Sequence, residues 1–385
     1  MTSTRKLVLA AGVLLFLFGA GTTQAQRAGK TTASPSKTIL IGQSGPVSGN
    51  NKEFGIDIEN GVLAYFKKVN EAGGVNGRKL ELITLDDAND RARAGENGRV
   101  LIEERGVLAL FGYASATLSL PALPFVEKHK VPFVGPFTGA EPMRSFRPYV
   151  FNIRASYADE LERIIEFYAS TGMKKFSVIH YDDAVGTANR GVVEAALAKR
   201  GLKPASIGTL KRNQTDLGSA VSDVLKAAPD VVLATTLYRT TADFVKQAKK
   251  GGSGAQFASL SFVGASALAE ALGPVGIGVV ISQVVPPYSK SSVPIVKEYQ
   301  AAIQKHLGKP DYSFTSLEAY IGAKVLVEAI RRTGANPTRE NLLRVLNTMQ
   351  DYNLGGYVVD FSPTNHNGSR FVELTAISRG GRFAY

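Results

Sequence analysis

No cysteine occurs anywhere in the 385 residues. Thiol nucleophiles, thiolate metal sites and disulfide staples are thereby excluded, and so is a lipid-modified cysteine at a processed N-terminus. A chain of this length buries enough apolar surface to fold without cross-links, so the lack does not argue against export. Histidine is almost as scarce. His129, His180, His306 and His366 are the full set, and no two stand at the i, i+4 spacing that puts two imidazoles on one helix face. No metal site is expected, and each histidine is read as a packing or surface residue; His180, at a strand end, is the one nearest the strand-end loops. Glycine-centred reactive motifs are missing too. Gly42-Gln43-Ser44-Gly45-Pro46 places a proline where a nucleophile elbow has its second glycine. The loop 42–49 follows a strand and precedes a helix, yet it matches neither the dinucleotide nor the Walker spacing. Long apolar runs are absent as well: the uncharged stretch 7–20 is shorter than the roughly 20 residues that cross a bilayer, and no later segment is long and apolar enough.

What is present begins with an export signal. Arg5 and Lys6 precede the apolar stretch, and Thr23-Gln24-Ala25 puts small residues at the outer positions of a cleavage site. Residues 1–25 are therefore read as a signal peptide cut after Ala25, and the polar residues 26–37 as a flexible leader. Beyond the two basic residues of the signal, 43 Lys and Arg face 33 Asp and Glu, a balance of +10. The basic residues come as scattered doublets, such as Lys67-Lys68, Lys174-Lys175, Lys249-Lys250 and Arg331-Arg332, with no basic block or aromatic stacking stripe. Solvated helix faces account for them, and nucleic-acid binding is not expected.

A composition of 44% hydrophobic and 20% charged residues suits two globular domains with separate cores. From Thr38 onward short β-branched apolar runs alternate with segments of helical period, the rhythm of parallel sheets with crossover helices. Strands are predicted at 38–42, 79–85, 107–111 and 131–134, with helices over 54–72, 91–104 and 119–129. A second series follows Arg154: strands at 175–180, 206–210, 231–237, 257–263 and 278–285, separated by helices. Three helices, 293–307, 314–332 and 338–348, come after Pro286-Pro287, and strand-like tails close the chain. In open α/β sheets ligands sit beyond the carboxyl ends of the strands. The loops there, 44–55, 86–90, 112–121, 135–142, 181–186, 237–241 and 261–266, are rich in Gly, Ser, Thr and aromatics, which suits a hydrogen-bonding cleft better than a reactive centre. Two acidic pairs lie among them. Asp86-Asp87 is read chiefly as a helix cap, Asp182-Asp183 as either a cap or a grip on a ligand amine.

Taken in order, IGQSGPVSG with the following FG, NEAGGVNGRKLEL, the DDAND turn, VPFVGPFTGAEPMR and VFNIRASYADE resemble the type I periplasmic binding proteins of the branched-chain amino-acid (Leu/Ile/Val) family. The resemblance covers essentially residues 38–385. It implies an α/β fold of two Rossmann-like lobes joined by three crossovers, with a ligand cleft between them: residues 38–154 with 286–367 in lobe one, 155–285 with 368–385 in lobe two. It also implies a periplasmic, monomeric solute-binding protein without cofactor or catalysis, which captures a small polar molecule and hands it to an ABC permease in the inner membrane. The ligand carboxylate would lie against residues 114–117 and 137–139, making Ser115, Thr117, Phe137 and Thr138 the leading contacts; donors at a helix start favour an anion. Phe54 matches the aromatic that covers the ligand side chain. Ser261 stands where members that bind aliphatic amino acids carry an acid against the ligand ammonium, Val185 replaces an aromatic, and Leu237 or Tyr238 another. Either Asp182 or Asp183 has taken over the ammonium, or the ligand carries none. Tyr113, Phe137, Tyr181, Tyr238 and Phe262 would edge the cleft. A sensory protein that signals to a receptor, or a doubly wound enzyme, are the other readings.

Overall fold

The computed structural model describes residues 37–385, apart from residues 213, 215, 309 and 310 and the side chain of Asn50. The signal segment 1–25 and the leader up to residue 36 lie outside the described residues. The first sheet is built from β1 (Thr38–Gly45), β2 (Lys79–Asp86), β3 (Ala109–Phe111), β4 (Phe133–Val134) and β5 (Val150–Phe151), all parallel, in the order β2-β1-β3-β4-β5. Between them run α1 (Lys52–Glu71), α2 (Arg91–Arg99), α3 (Ala116–Ser119), α4 (Leu123–His129) and α5 (Glu141–Arg144). Helix α1 stops where Gly73 and Gly74 take positive φ; Gly74 N–H turns back to the Val69 carbonyl at 2.9 Å, and a side chain there would meet the Arg78 carbonyl. The helix expected over 119–129 is instead broken into α3, a tight turn at Leu120–Ala122 and α4. Pro121 and Pro124 cannot donate to the helical ladder, and they fall in the first turns of the two later pieces.

The second sheet carries β6 (Phe176–Tyr181), β7 (Ser206–Leu210), β8 (Val231–Thr235), β9 (Gln256–Ser259) and β10 (Val280–Gln283), again parallel, interleaved with α6 (Tyr157–Ser170), α7 (Ala184–Ala198), α8 (Gly218–Ala227), α9 (Tyr238–Lys250) and α10 (Ala265–Leu272). The strand expected over 257–263 ends at Ser259, and a turn at Ser261–Val263 leads into α10. Helices α11 (Pro294–Leu307), α12 (Phe314–Arg332) and α13 (Arg339–Leu346) return to the first sheet, where Gly322 of α12 lies against Phe111 of β3. A small hairpin, β11 (Tyr352–Asn353) with β12 (Val358–Val359), precedes β13 (Glu373–Ile377) and β14 (Phe383–Ala384), which add antiparallel to β10 in the order β14-β13-β10-β9-β8-β6-β7. The chain thus passes between the sheets three times, after β5, after β10 and after the hairpin. Both sheets have helices on their faces, which explains strands such as β6 and β8 that are buried along their whole length.

Separate cores do not form. Buried apolar side chains of both lobes join the same clusters, because the lobes are pressed together. Phe54 of α1 lies beside Gly264, ahead of α10, and Tyr157 of α6 donates its backbone N–H to the Gly139 carbonyl at 2.9 Å. No helix among the described residues is long and apolar enough to cross a membrane.

Candidate functional site

The carboxyl ends of the strands of both sheets face one narrow cavity. Ser115, Ala116, Thr117 and Thr138 line it from lobe one; Tyr157, Tyr181, Val185, Gly186, Asn189, Arg212, Thr235, Leu237 and Phe262 line it from lobe two. The lobes meet so closely that it retains only about 20 Å³, on the scale of one water molecule.

Each wall follows from local chain geometry. Ser115 is the N-cap of α3, its hydroxyl accepting the Leu118 N–H at 3.3 Å. Thr138 is fully buried in the turn after β4, donating to the Tyr157 phenol at 3.2 Å and accepting the Ala140 N–H at 3.1 Å. Thr117 accepts from Arg212 Nη2 at 3.2 Å, a direct bond between the lobes. Arg212, just past β7, also donates through Nε to Asp183 Oδ2 at 2.7 Å, and its guanidinium lies 4.3 Å from the centre of the Tyr181 ring. The Tyr181 hydroxyl meets Thr240 Oγ1 and the Leu237 N–H. Burial pushes the Tyr181 phenol up and the Tyr157 phenol up to about 12, so both stay protonated near neutral pH. Tyr157 and Phe262 stand 4.9 Å apart as an aromatic wall.

The other anticipated contacts lie elsewhere. Phe54 and Phe137 are buried against each other edge to face, 6.2 Å apart, and neither is among the residues lining the cavity. Asp182 is exposed. Asp183 caps α7 by accepting the Gly186 N–H at 2.7 Å while its second oxygen holds Arg212. The Tyr238 hydroxyl crosses to the other lobe, donating to Glu53 Oε2 at 2.6 Å. Ser261 is not among the residues lining the cavity; its hydroxyl is bonded to Arg154 and its N–H to Glu160. Tyr113, expected at the cleft edge, is fully buried on Phe133 with no partner for its hydroxyl. His180 is buried, bonded to the Tyr181 carbonyl and Thr209, and does not line the cavity. Asp86 and Asp87 do not cap α2, since Asp90 does. Asp86 instead collects the N–H groups of Val47, Ser48 and Ala88 and the Ser48 hydroxyl, and Asp87 accepts from Ser44 at 2.8 Å, so the pair fixes the loop after β1. Burial pushes Asp87 up to about 6 even so.

Three lining residues had no sequence signal of their own. Arg212 obeys the strand-end rule, lying two residues past β7, but its loop lacks the Gly, Ser and aromatic composition that marks the others. Tyr157 and Asn189 lie on helices, where only the packing of α6 and α7 turns them inward. No group of three or more His, Cys, Asp or Glu among the described residues could hold a metal.

Two Rossmann-like sheets, three crossings and a cavity walled by the strand ends of both lobes define a two-lobed solute-binding protein. Comparison with known proteins agrees. The model of the periplasmic binding protein family matches residues 38–382. A Leu/Ile/Val-binding protein homolog 7 of Brucella melitensis is 27% identical over 355 residues, covering 87% of this chain and 88% of that one. A possible leucine/isoleucine/valine-binding protein from Rhodopirellula baltica superposes with a TM-score of 0.87 at 28% identity, covering 92% of this chain and 98% of that one. A substrate-binding periplasmic protein from Ralstonia solanacearum gives 0.85 at 30% identity, covering 90% and 99%. The chain belongs to the type I periplasmic binding proteins, in the branched-chain amino-acid binding family.

Proposed function

We propose that the chain works in the periplasm as the solute-binding protein of an ABC importer, closing around a small polar solute and delivering it to a membrane permease. The lobes divide at residues 154/155, 285/286 and 367/368, and closure is a rotation about those three strands. Carrying the reading is one observation: hydroxyls of lobe one, Ser115, Thr117 and Thr138, face Arg212, Asn189 and aromatic rings of lobe two across the same cavity. With only about 20 Å³ left between the lobes, a solute enters when they part and is enclosed when they meet. Ligand favours the closed form through the contacts that it makes with lobe two in addition to those with lobe one. Several relatives bear names of Leu/Ile/Val-binding proteins, which supports an amino acid or a related carboxylate as cargo.

The test is a thermal-denaturation screen of the exported form against amino acids, aromatic and short carboxylates, amides and sugars. A solute at about a hundredfold its Kd adds ~2.7 kcal/mol of stability and raises the melting temperature by several degrees. A cognate solute whose uptake by cells is lost on deletion of this gene confirms delivery to a permease. Binding without any uptake defect points to the sensory role instead, and silence across the whole screen contradicts solute binding.

A further inference from the structure

No carboxylate is found among the described residues that line the cavity. Its polar lining consists of the hydroxyls of Ser115, Thr117, Thr138, Thr235, Tyr157 and Tyr181, the Asn189 amide and the Arg212 guanidinium. Nearby acids are committed elsewhere. Each oxygen of Asp183 already accepts a bond, one from Gly186 N–H and one from Arg212, whose charge it balances. Glu160 is fully buried and accepts from Arg154, Ser261 N–H and the Ser282 hydroxyl. Glu53 holds Tyr238, and Asp182 is exposed. An ammonium group enclosed here would lose its hydration without meeting an opposite charge, which is costly.

An anion meets the reverse situation. Arg212 spans the cavity mouth with its planar donors, held in place by Asp183 on one side and by the Tyr181 ring beneath. Nη2 reaches Thr117 of lobe one, while no described group accepts from Nη1. A carboxylate inserted between Arg212 and Thr117 replaces one interlobe bond by two charge-assisted ones and so couples binding to closure. Asn189 supplies the independent sign of a ligand. The residue is 3% exposed and lines the cavity, and no described group hydrogen-bonds its side-chain amide, which leaves the amide for a ligand. Tyr157 and Phe262 then flank the ligand with apolar ring surface.

We infer that the solute is a small carboxylate carrying no ammonium group, whose anionic head is clamped between Arg212 of lobe two and the Thr117 hydroxyl of lobe one, with Asn189 bonded to a polar atom of the same solute. This rests on the solute-binding reading and narrows its ligand class.

The test uses matched pairs that differ only in the amine: leucine against isocaproate and phenylalanine against hydrocinnamate, titrated calorimetrically into the exported form. The desamino acid of at least one pair should bind more tightly by on the order of a hundredfold. Arg212→Gln should weaken that binding roughly tenfold or more, Arg212→Lys less, and Asn189→Ala severalfold. A purely structural role for Arg212 would lower the melting temperature while leaving the affinity of the folded protein unchanged, and that result overturns its assignment. An amino acid that binds as tightly as its desamino partner, or a cognate amine or sugar, overturns the ligand class but leaves solute binding intact. Absence of binding by both pairs and by every member of the wider panel removes the solute-binding reading itself.

Discussion

Arg154, the last residue before the second series of elements, carries its charge into an environment with 1% side-chain exposure. Two carboxylates flank it: Glu160 of α6 at 2.9 Å and Glu318 of α12 at 3.4 Å, one from each lobe. The guanidinium therefore sits where the lobes join, and Ser261 and Ser282 complete the network through the hydroxyl of one and the Glu160 contacts of both. Glu318 has only the longer bonds. Burial, opposed by Arg154 and reinforced by Glu160, pushes its carboxyl from 4.5 up to about 7. The unfolded chain releases that proton near pH 4.5 while the folded chain keeps it until about pH 7. This group's contribution to stability is thus complete below pH 4.5 and is lost as the pH rises through 7. Glu318→Gln, which cannot ionise, removes the dependence. Between pH 5 and 8 the wild type should lose roughly 1–3 kcal/mol relative to the variant in urea unfolding. Parallel curves for the two proteins would show that Glu318 is ionised throughout.

Elements are set against one another by small residues whose identity alone does not reveal their role. Gly61 of α1 faces α12 so closely that an added Cβ would stand 2.1 Å from the Ser316 carbonyl oxygen and 2.6 Å from Ala319 Cβ. Gly191 of α7 has nothing within 4 Å. Alanine has the better helix propensity at both places, by about 0.5–1 kcal/mol, yet the two substitutions should act in opposite directions. Gly61→Ala forces α1 and α12 apart and should cost ~1–3 kcal/mol, whereas Gly191→Ala should stabilise by about 0.5–1 kcal/mol. Denaturant midpoints of the two variants measure both, and equal signs would mean that α1 and α12 can separate freely. Helix α1 itself was legible from its apolar period and its Gly-Gly stop. The proximity of α12 was not, since 255 residues separate Gly61 from Ser316 and no local pattern records the contact.

At the scale of the molecule, closure rests on few polar contacts, notably Arg212 with Thr117 and Tyr238 with Glu53. Burial pushes Glu53 up, but the Tyr238 hydroxyl, its own backbone N–H, Arg239 and Lys52 outweigh it and hold the carboxyl below its usual range, so the acceptor is ionised near neutral pH. Tyr238→Phe removes that hydroxyl and keeps the buried ring. A hydrogen bond to a charged group contributes about 1.5–3 kcal/mol, so the closed population should fall and ligand affinity with it, by roughly tenfold. Small-angle scattering should then report a larger radius of gyration for the variant without ligand and convergence with the wild type at saturation. Unchanged scattering and affinity would place the determinants of closure elsewhere, with Arg212 the next candidate.

Alternation of apolar strands and periodic helices determined the α/β class, the two series of strands and the strand-end loops, because burial on two faces and capping chemistry are written in neighbouring residues. The loops that carry Ser115, Thr117 and Thr138 were legible for the same reason, as turns just past their strands, while the three hydroxyls themselves were singled out by the family resemblance. Tertiary structure alone decided which of those loops meet. It bonded Ser261 to Arg154, packed Phe54 on Phe137, gave Asp183 to Arg212, and brought Tyr157 and Asn189 in from helices. Such choices depend on how two sheets far apart in the chain are pressed face to face, and side chains that meet only across that gap leave no periodic trace in the order of residues.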